Sequence, residues 1–148
     1  MWQDSKGCSA LSLCCQNGHA NVCELLYKHG SSVDFLYRKD GAVCFGVPFL
    51  SLKGALHIAC QNGHLAVIKF LLSKKADINK QNHQRVTPLH FAIKGNHFLA
   101  CQLILGYEEV SSQSVESGIT LTKIYNKTPE IRALLEKTLK SRRKVILV

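Results

Sequence analysis

Apolar residues recur along the chain in short runs, and polar stretches separate these runs. Three of the runs cover residues 22–26, 67–72 and 100–105, and a shorter apolar segment precedes each of them. This spacing predicts pairs of short helices. The polar stretches at 30–34 and 76–79 follow the second helix of a pair and are predicted to be turns that lead into the next pair.

The same short sequences reappear at regular intervals. Residues 55–59 (Ala-Leu-His-Ile-Ala) recur 33 residues later as residues 88–92 (Pro-Leu-His-Phe-Ala). Residues 15–19 and 60–64 are both Cys-Gln-Asn-Gly-His, 45 residues apart, which is one period plus a 12-residue insertion. Such self-similarity predicts a stack of similar helix pairs.

This pattern resembles the ankyrin repeat, which has a period of about 33 residues and the signature T-P-L-H-x-A. Residues 87–92, Thr-Pro-Leu-His-Phe-Ala, match that signature in full. The resemblance implies an all-α ankyrin-repeat solenoid of about four helix-turn-helix units with hairpin fingers, in a single domain over residues 1–148. We place the units at about 4–36, 37–81 with the insertion, 82–114 and 115–144, with a short basic and apolar tail at 137–148.

The fourth unit departs from the pattern. Residues 118–120 (Gly-Ile-Thr) are predicted to keep the turn, but Leu121 replaces the proline and Lys123 replaces the histidine. A second helix is predicted to open at 128–130 (Thr-Pro-Glu). We interpret this unit as a degenerate C-terminal cap whose charged residues face water.

The signature also predicts where helices begin and end. Thr87 is suited to N-cap a helix, and Pro88 is tolerated at the first helical position because its missing N–H would have no intrahelical partner. Gly18, Gly63 and Asn96 fall where a helix is predicted to end in a left-handed turn, a conformation that Gly and Asn tolerate best.

Four residues close in sequence have side chains that can bind zinc or act as a nucleophile and its base, namely Cys14, Cys15, His19 and Cys23. The repeat argues against both functions, because these residues fall at recurring positions and cysteine often behaves as a small buried apolar residue. In the resembled family, a histidine at the positions of His57 and His90 makes hydrogen bonds to the backbone between repeats. No catalytic residue, metal or cofactor is therefore predicted.

Composition sets further limits. The chain has 148 residues, of which 46% are hydrophobic and 20% charged, as in folded soluble proteins. Its longest apolar stretch, residues 43–52, is too short to cross a bilayer, so no membrane insertion is predicted. Seven cysteines without a framework spacing indicate reduced thiols and a cytoplasmic or nuclear location.

The formal charge of +9 is concentrated near the C-terminus. This concentration is compatible with a nuclear-import signal, an acidic protein surface or a phosphate backbone as the partner. A solvated helix end is the alternative, because cations are favourable near a helix C-terminus. The basic patch comprises Lys140, Arg142, Arg143 and Lys144.

The insertion between the first two units lies at residues 37–52 and contains Phe45 and Phe49. After a polar turn at 38–41, its residues 42–50 are apolar, unlike an ordinary surface loop. One interpretation is that this enlarged finger packs back over the first two units. In the other, Phe45 and Phe49 are anchors for a partner, since aromatic residues are enriched at interface hot spots.

The resemblance implies a non-catalytic scaffold or adaptor that binds another protein through its concave face and hairpin fingers, with no small-molecule substrate. An alternative is a subunit of a nucleic-acid-containing assembly anchored by the basic patch, and another is the recognition portion of a longer protein. The predicted partner-binding residues are Lys6, Cys8, Gln16, Asn17, Phe45, Phe49, Lys53, Gln61, Asn62, His83, Gln84, Val86 and Lys94.

Overall fold

The computed structural model describes residues 10–31, 54–82, 84–125 and 129–146. Within these ranges the chain forms eight α-helices and no strand, so the all-α class is confirmed. The helices are α1 (Ala10–Asn17), α2 (Ala20–Lys28), α3 (Ala55–Asn62), α4 (Leu65–Ser73), α5 (Pro88–Lys94), α6 (Phe98–Leu105), α7 (Ser112–Tyr125) and α8 (Pro129–Ile146).

The helices stack in two layers. The first helices of the pairs, α1, α3, α5 and α7, contact one another in that order. The second helices, α2, α4, α6 and α8, form the other layer, and each helix also contacts the partner of its own pair. This arrangement confirms the predicted solenoid of helix pairs.

Equivalent positions in successive pairs form the core. Leu11, Leu56 and Leu89 stand at one register in α1, α3 and α5, and each is at most 4% exposed. Cys15 and Cys60 also share a register, and both are fully buried. Because every pair buries the same positions, each layer continues the core of the pair before it.

The predicted beginning of α5 is confirmed, and α3 begins at the equivalent position of its pair. Thr87 is the N-cap of α5 with an extended backbone, φ −92° and ψ 167°, and Pro88 follows at the first helical position. Gly54 takes the same place before α3, with φ −75° and ψ 170°. Both helices therefore begin at the position that the repeat alignment indicates.

The left-handed turns at the ends of the first helices are confirmed as well. Gly18, Gly63 and Asn96 have φ values of 79°, 70° and 58°. Two further non-glycine residues, Lys75 and Arg85, share this conformation, with φ values of 62° and 58°. Nothing in the sequence pattern predicts a left-handed backbone at a lysine or an arginine.

The prediction of a turn at residues 118–120 is wrong, because α7 runs through them without a break. The helix α7 begins earlier than the repeat predicts, at Ser112. The hydroxyl of the preceding residue, Ser111, accepts the backbone N–H of Ser114 at 3.3 Å. Gly118 permits close packing instead, since an added Cβ would lie 2.8 Å from Cδ1 of Ile93 in α5. The predicted opening of the last helix is confirmed, because α8 begins at Pro129.

Arg142 joins α8 to the rest of the stack. Its guanidinium donates hydrogen bonds to the backbone carbonyls of Val110 and Tyr107, which lie in the connection between α6 and α7. The unit boundaries and the capping role of the fourth unit stay predictions. The enlarged finger at 37–52 lies outside the described residues.

Candidate binding surface

The His57 side chain connects α3 to the loop that follows α4. Its Nδ1 accepts the Gly54 N–H at 3.1 Å, so the proton is on Nε2, which donates to the carbonyls of Lys80 at 2.9 Å and Val86 at 3.2 Å. These contacts confirm the backbone hydrogen bonds between repeats that the resemblance implied for His57. The ring is 1% exposed and has a structural role.

His90 makes the equivalent hydrogen bond at its Nδ1 atom but a different one at Nε2. Its Nδ1 accepts the Thr87 N–H at 3.2 Å and lies 2.6 Å from the Thr87 hydroxyl oxygen. Its Nε2 donates to the hydroxyl of Ser117 at 2.7 Å, not to a backbone carbonyl as the resemblance implied, because the continuous helix α7 places a side chain there. Burial lowers the pKa of His90.

A second pair of histidines, His64 and His97, connects successive first helices. The Nε2 of His64 donates to the Gln16 carbonyl, and that of His97 donates to the Gln61 carbonyl, both at 2.9 Å. The sequence pattern shows His64 as a recurring position but predicts neither of these hydrogen bonds. The signal is the dipeptide at 63–64 (Gly-His), where the histidine follows the residue that ends a first helix.

The rings of these histidines need the glycines of the pair before them. A Cβ at Gly18 would lie 2.8 Å from Nδ1 of His64, and one at Gly63 would lie 2.5 Å from Nδ1 of His97. Each histidine therefore occupies the space that a side chain on the preceding helix end would fill. We call this arrangement the glycine–histidine junction, and the described residues form it at Gly18–His64 and at Gly63–His97.

Three predicted partner-binding residues share a register at the ends of the first helices. Gln16, Gln61 and Lys94 are all exposed and lie in the last turns of α1, α3 and α5. We call these three residues the first-helix row. The structure thus places them at equivalent positions of neighbouring, contacting helices.

The side chains of two other predicted residues form hydrogen bonds within their own helices. The Asn17 amide donates to the Leu13 carbonyl at 3.0 Å, and the Asn62 amide donates to the Ile58 carbonyl at 2.9 Å. Both side chains are exposed. A partner that contacts them would have to accept this orientation or break the bond.

The loop before α5 holds Gln84 and Val86 at different depths. The Asn82 side-chain oxygen accepts the N–H groups of both residues, at 3.0 and 2.9 Å, which fixes a tight turn. Gln84 is exposed on this turn, whereas Val86 is half-buried and its carbonyl accepts from His57. The remaining predicted residues, Lys6, Cys8, Phe45, Phe49, Lys53 and His83, lie outside the described residues.

The four residues of the basic patch have different surroundings. Lys140 and Lys144 are exposed and, with Lys137, border a shallow groove along α8. Arg143 pairs with Glu116 across 3.1 Å, with both side chains more than half exposed. Arg142 is used in the carbonyl contacts described above, so the structure does not present the four residues as one uniform surface.

The buried thiols are poor nucleophiles. Cys15 and Cys23 lie with their Sγ atoms 3.8 Å apart, and burial raises the pKa of Cys15 and of Cys60. Burial also raises the pKa of Cys101 to about 12. These groups stay protonated near neutral pH, whereas the thiolate is the reactive and metal-binding form.

Two features of the described part of the chain bear on other functions. Between residues 10 and 146, apart from the gaps given above, no three His, Cys, Asp or Glu side chains are grouped so that they could hold a metal ion. None of the helices found there has the length and the apolar character needed to span a bilayer.

Comparison with known proteins gives two family matches. Residues 56–105 match the model described as "Ankyrin repeats (many copies)", and residues 6–38 match the model described as "Ankyrin repeat". Together the matched segments span more than half of the chain. None of the curated proteins matches it.

Proposed function

Because the chain belongs to the ankyrin repeat family, we propose that it is a non-catalytic adaptor that binds another protein through its concave face and hairpin fingers. Ankyrin repeats are generally protein–protein interaction modules without catalytic activity. The first-helix row is the observation that supports this function most directly. It offers exposed polar side chains in register on the first helices of three consecutive pairs.

The backbone beneath the first-helix row is held in place before any partner arrives. The carbonyls of Gln16 and Gln61 accept the hydrogen bonds of His64 and His97. The ends of neighbouring first helices are therefore fixed relative to each other. A pre-ordered surface loses less conformational entropy on binding, which favours affinity.

Affinity capture with matched variants tests the role of the first-helix row. We expect the Gln16→Arg/Gln61→Arg double variant to lose its bound protein, because two bulky charges are added to the contact surface. The control is Ala66→Arg/Gln102→Arg, which adds the same charge at exposed positions of α4 and α6. A protein that the control retains and the double variant does not is then purified and titrated against the wild type.

Two outcomes contradict this assignment. One is equal capture by the first-helix variant and the control, and the other is loss of the partner from both. A melting curve for each variant shows whether the fold is retained. Exposed substitutions away from packing contacts usually change stability by less than about 0.5 kcal/mol, so melting should be almost unchanged.

For the enlarged finger, we propose that Phe45 and Phe49 contribute anchors to the same interface. A Phe45→Ala/Phe49→Ala variant should bind the partner more weakly by about tenfold or more, with unchanged melting, if these rings reach the partner. Lower stability with unchanged affinity would show that the rings pack on the repeats. The two interpretations of the insertion give opposite results in this pair of measurements.

Binding of a nucleic acid is a second candidate function, favoured by the row of Lys137, Lys140 and Lys144 along one groove of α8. A Lys137→Gln/Lys140→Gln/Lys144→Gln variant leaves the Arg142 hydrogen bonds intact. Its binding to a duplex RNA or DNA should be weaker, with a salt slope lower by about one for each phosphate that is no longer neutralised. Binding of the wild type that does not depend on salt would contradict this function.

A further inference from the structure

The first helix pair exposes apolar side chains at positions that later pairs bury or half-bury. Val22 in α2 is 42% exposed, whereas Val67 at the same register of α4 is fully buried. Leu13 in α1 is 38% exposed, whereas at its register Ile58 is half-buried and Phe91 is 8% exposed. Leu25 in α2 is 56% exposed, and the residues at its register in α4 and α6 are half-buried. Apolar residues at the same repeat position are therefore buried or half-buried in later pairs and exposed in the first pair.

The side of the pair that faces α3 and α4 is largely buried, although Tyr27 of α2, which packs on Phe70 of α4, is 36% exposed. Leu11 in α1 is 4% exposed, as is its counterpart Leu56, and Cys23 in α2 is as completely buried as Ile68. The contacts of α1 with α3, and of α2 with α4, are thus complete. Among the described helices, α3 and α5 each have a first helix on both sides and α1 has one on a single side. The exposed positions correspond to those at which later pairs contact the pair before them; Phe70, at the register of Leu25, contacts Tyr27 of α2 in this way, with the ring centroids 6.0 Å apart.

His19 is the polar part of the same incomplete interface. It stands at the register of His64 and His97, each of which donates to a carbonyl of the preceding first helix. His19 is the N-cap residue of α2, but its exposed side chain makes no capping hydrogen bond and has no hydrogen-bond partner among the described residues. It is therefore the histidine of a glycine–histidine junction whose glycine and carbonyl are missing from the described part of the chain.

We propose that this surface, formed by Leu13, His19, Val22 and Leu25 and here called the leading face, binds one further ankyrin-type helix pair supplied from outside the 148 residues. The occupant needs an apolar side, a free carbonyl at the end of its first helix and a glycine just after it. At the two junctions within the chain, the carbonyls are those of Gln16 and Gln61, and the glycines are Gly18 and Gly63. The leading face therefore continues an interface that the chain already makes twice.

A second copy of the chain is a poorer occupant. Stacking of two copies head to tail would place α8 against the leading face. The exposed positions of α8 include Lys137, Lys140 and Lys144, which would lose water against apolar side chains. This binding is separate from the first-helix row, because the leading face is an end of the stack, so either function can fail without the other.

Extension of the full chain by one helix pair tests the proposal. The probe is a copy of residues 49–81 inserted before Asp4, which keeps the 33-residue period and brings a glycine equivalent to Gly63 beside His19. We expect the melting temperature to rise by about 5 °C or more, because each added pair contributes a new stacking interface.

Two variants identify the contacts behind that rise. In the extended chain, His19→Ala should lower the melting temperature, and Val22→Lys/Leu25→Lys should remove most of the rise. In the unextended chain, both variants should change it by less than about 3 °C, because the side chains are partly or largely exposed there. Val67→Lys, at the buried register of Val22, is the positive control and should destabilise both chains strongly.

Three results would overturn the proposal. An extension that leaves the melting temperature unchanged would mean that the leading face does not accept a helix pair. A loss in the unextended Val22→Lys/Leu25→Lys variant as large as that of Val67→Lys would show that residues of the chain itself cover the face. A dimer in sedimentation that dissociates in the Val22→Lys/Leu25→Lys variant would identify a second copy as the occupant.

Discussion

At the residue scale, single atoms decide how closely neighbouring helix pairs approach. The absence of a Cβ at Gly18 and Gly63 gives space for the His64 and His97 rings. The hydrogen bond from each ring then fixes the distance between successive first helices. Gly63 serves two purposes at once, because its φ of 70° also ends α3. The two demands coincide at one position.

We therefore expect Gly63→Ala to lower the free energy of unfolding by about 3 kcal/mol, as the sum of left-handed strain and the loss of the His97 hydrogen bond. Gly30→Ala is the control. Gly30 also has a positive φ, of 90°, but an added Cβ would meet nothing within 4 Å. It should cost only about 1 kcal/mol. Equal losses in urea denaturation would contradict the steric role of the His97 ring.

The buried His90 should make stability depend on pH. Burial lowers its pKa below the ordinary value of 6.5, so the unfolded chain takes up a proton there before the folded one does. The contribution of neutral His90 to the free energy of unfolding is complete above pH 6.5. It is lost as the pH falls toward the folded pKa, by at most about 1.4 kcal/mol per pH unit. The free energy of unfolding of His90→Gln, measured from about pH 7.5 to 5.5, should fall less steeply than that of the wild type. Parallel curves would disprove this role.

At the scale of elements, the chain uses different residues for the same helix ending. After α2 the left-handed residue is Gly30, and at the equivalent position after α4 it is Lys75. An L-residue other than glycine is strained in this conformation by about 1–2 kcal/mol. The residue that ends α4 is therefore strained, whereas the glycine that ends α2 is not.

Lys75→Gly should accordingly raise the free energy of unfolding by about 0.5–1 kcal/mol, since relief of strain outweighs the greater entropy of glycine in the unfolded chain. Lys69→Gly, an exposed site within α4, should instead lower it by about 1 kcal/mol. Thermal melting of the two variants gives opposite shifts. A decrease for both would show that Lys75 is not strained.

At the scale of the whole molecule, the last helix packs its buried residues Ile131 and Leu135 on the stack, and two adjacent arginines add polar contacts of different kinds. Arg142 donates to the carbonyls of Val110 and Tyr107. The neighbouring Arg143 pairs with Glu116 at the surface. The adjacent arginines therefore differ in what they stabilise, although the sequence presents them as equivalent members of a basic patch.

Arg142→Ala should lower the free energy of unfolding by about 2–3 kcal/mol, because two part-buried hydrogen bonds from a charged donor are removed, although the Tyr107 carbonyl still accepts the Val110 N–H at 3.4 Å. Arg143→Ala should cost less than about 1 kcal/mol, as exposed ion pairs contribute little. Hydrogen exchange of the α8 amides should show the same order. Equal protection in the two variants would contradict this difference.

The sequence by itself determined the repeat, the helix pairs and the helix boundaries at Thr87, Gly18 and Gly63, because these depend on period, N-cap chemistry and local backbone preference. Such interactions span a few residues and recur with the period. The same alignment failed at Gly118, which lies inside the continuous helix α7 and not in a turn. Its missing Cβ lets α7 pack closely against Ile93, a contact that local preference alone does not predict.

Only the tertiary structure decided the glycine–histidine junctions, the use of Arg142 and the exposure of the leading face. Each depends on atoms far apart in sequence, such as the His64 ring and the Gln16 carbonyl, 48 residues apart. Val22 and Val67 are the same residue type at the same repeat position and differ in exposure. What covers a side chain is set by the neighbouring helices, so a local pattern cannot determine it.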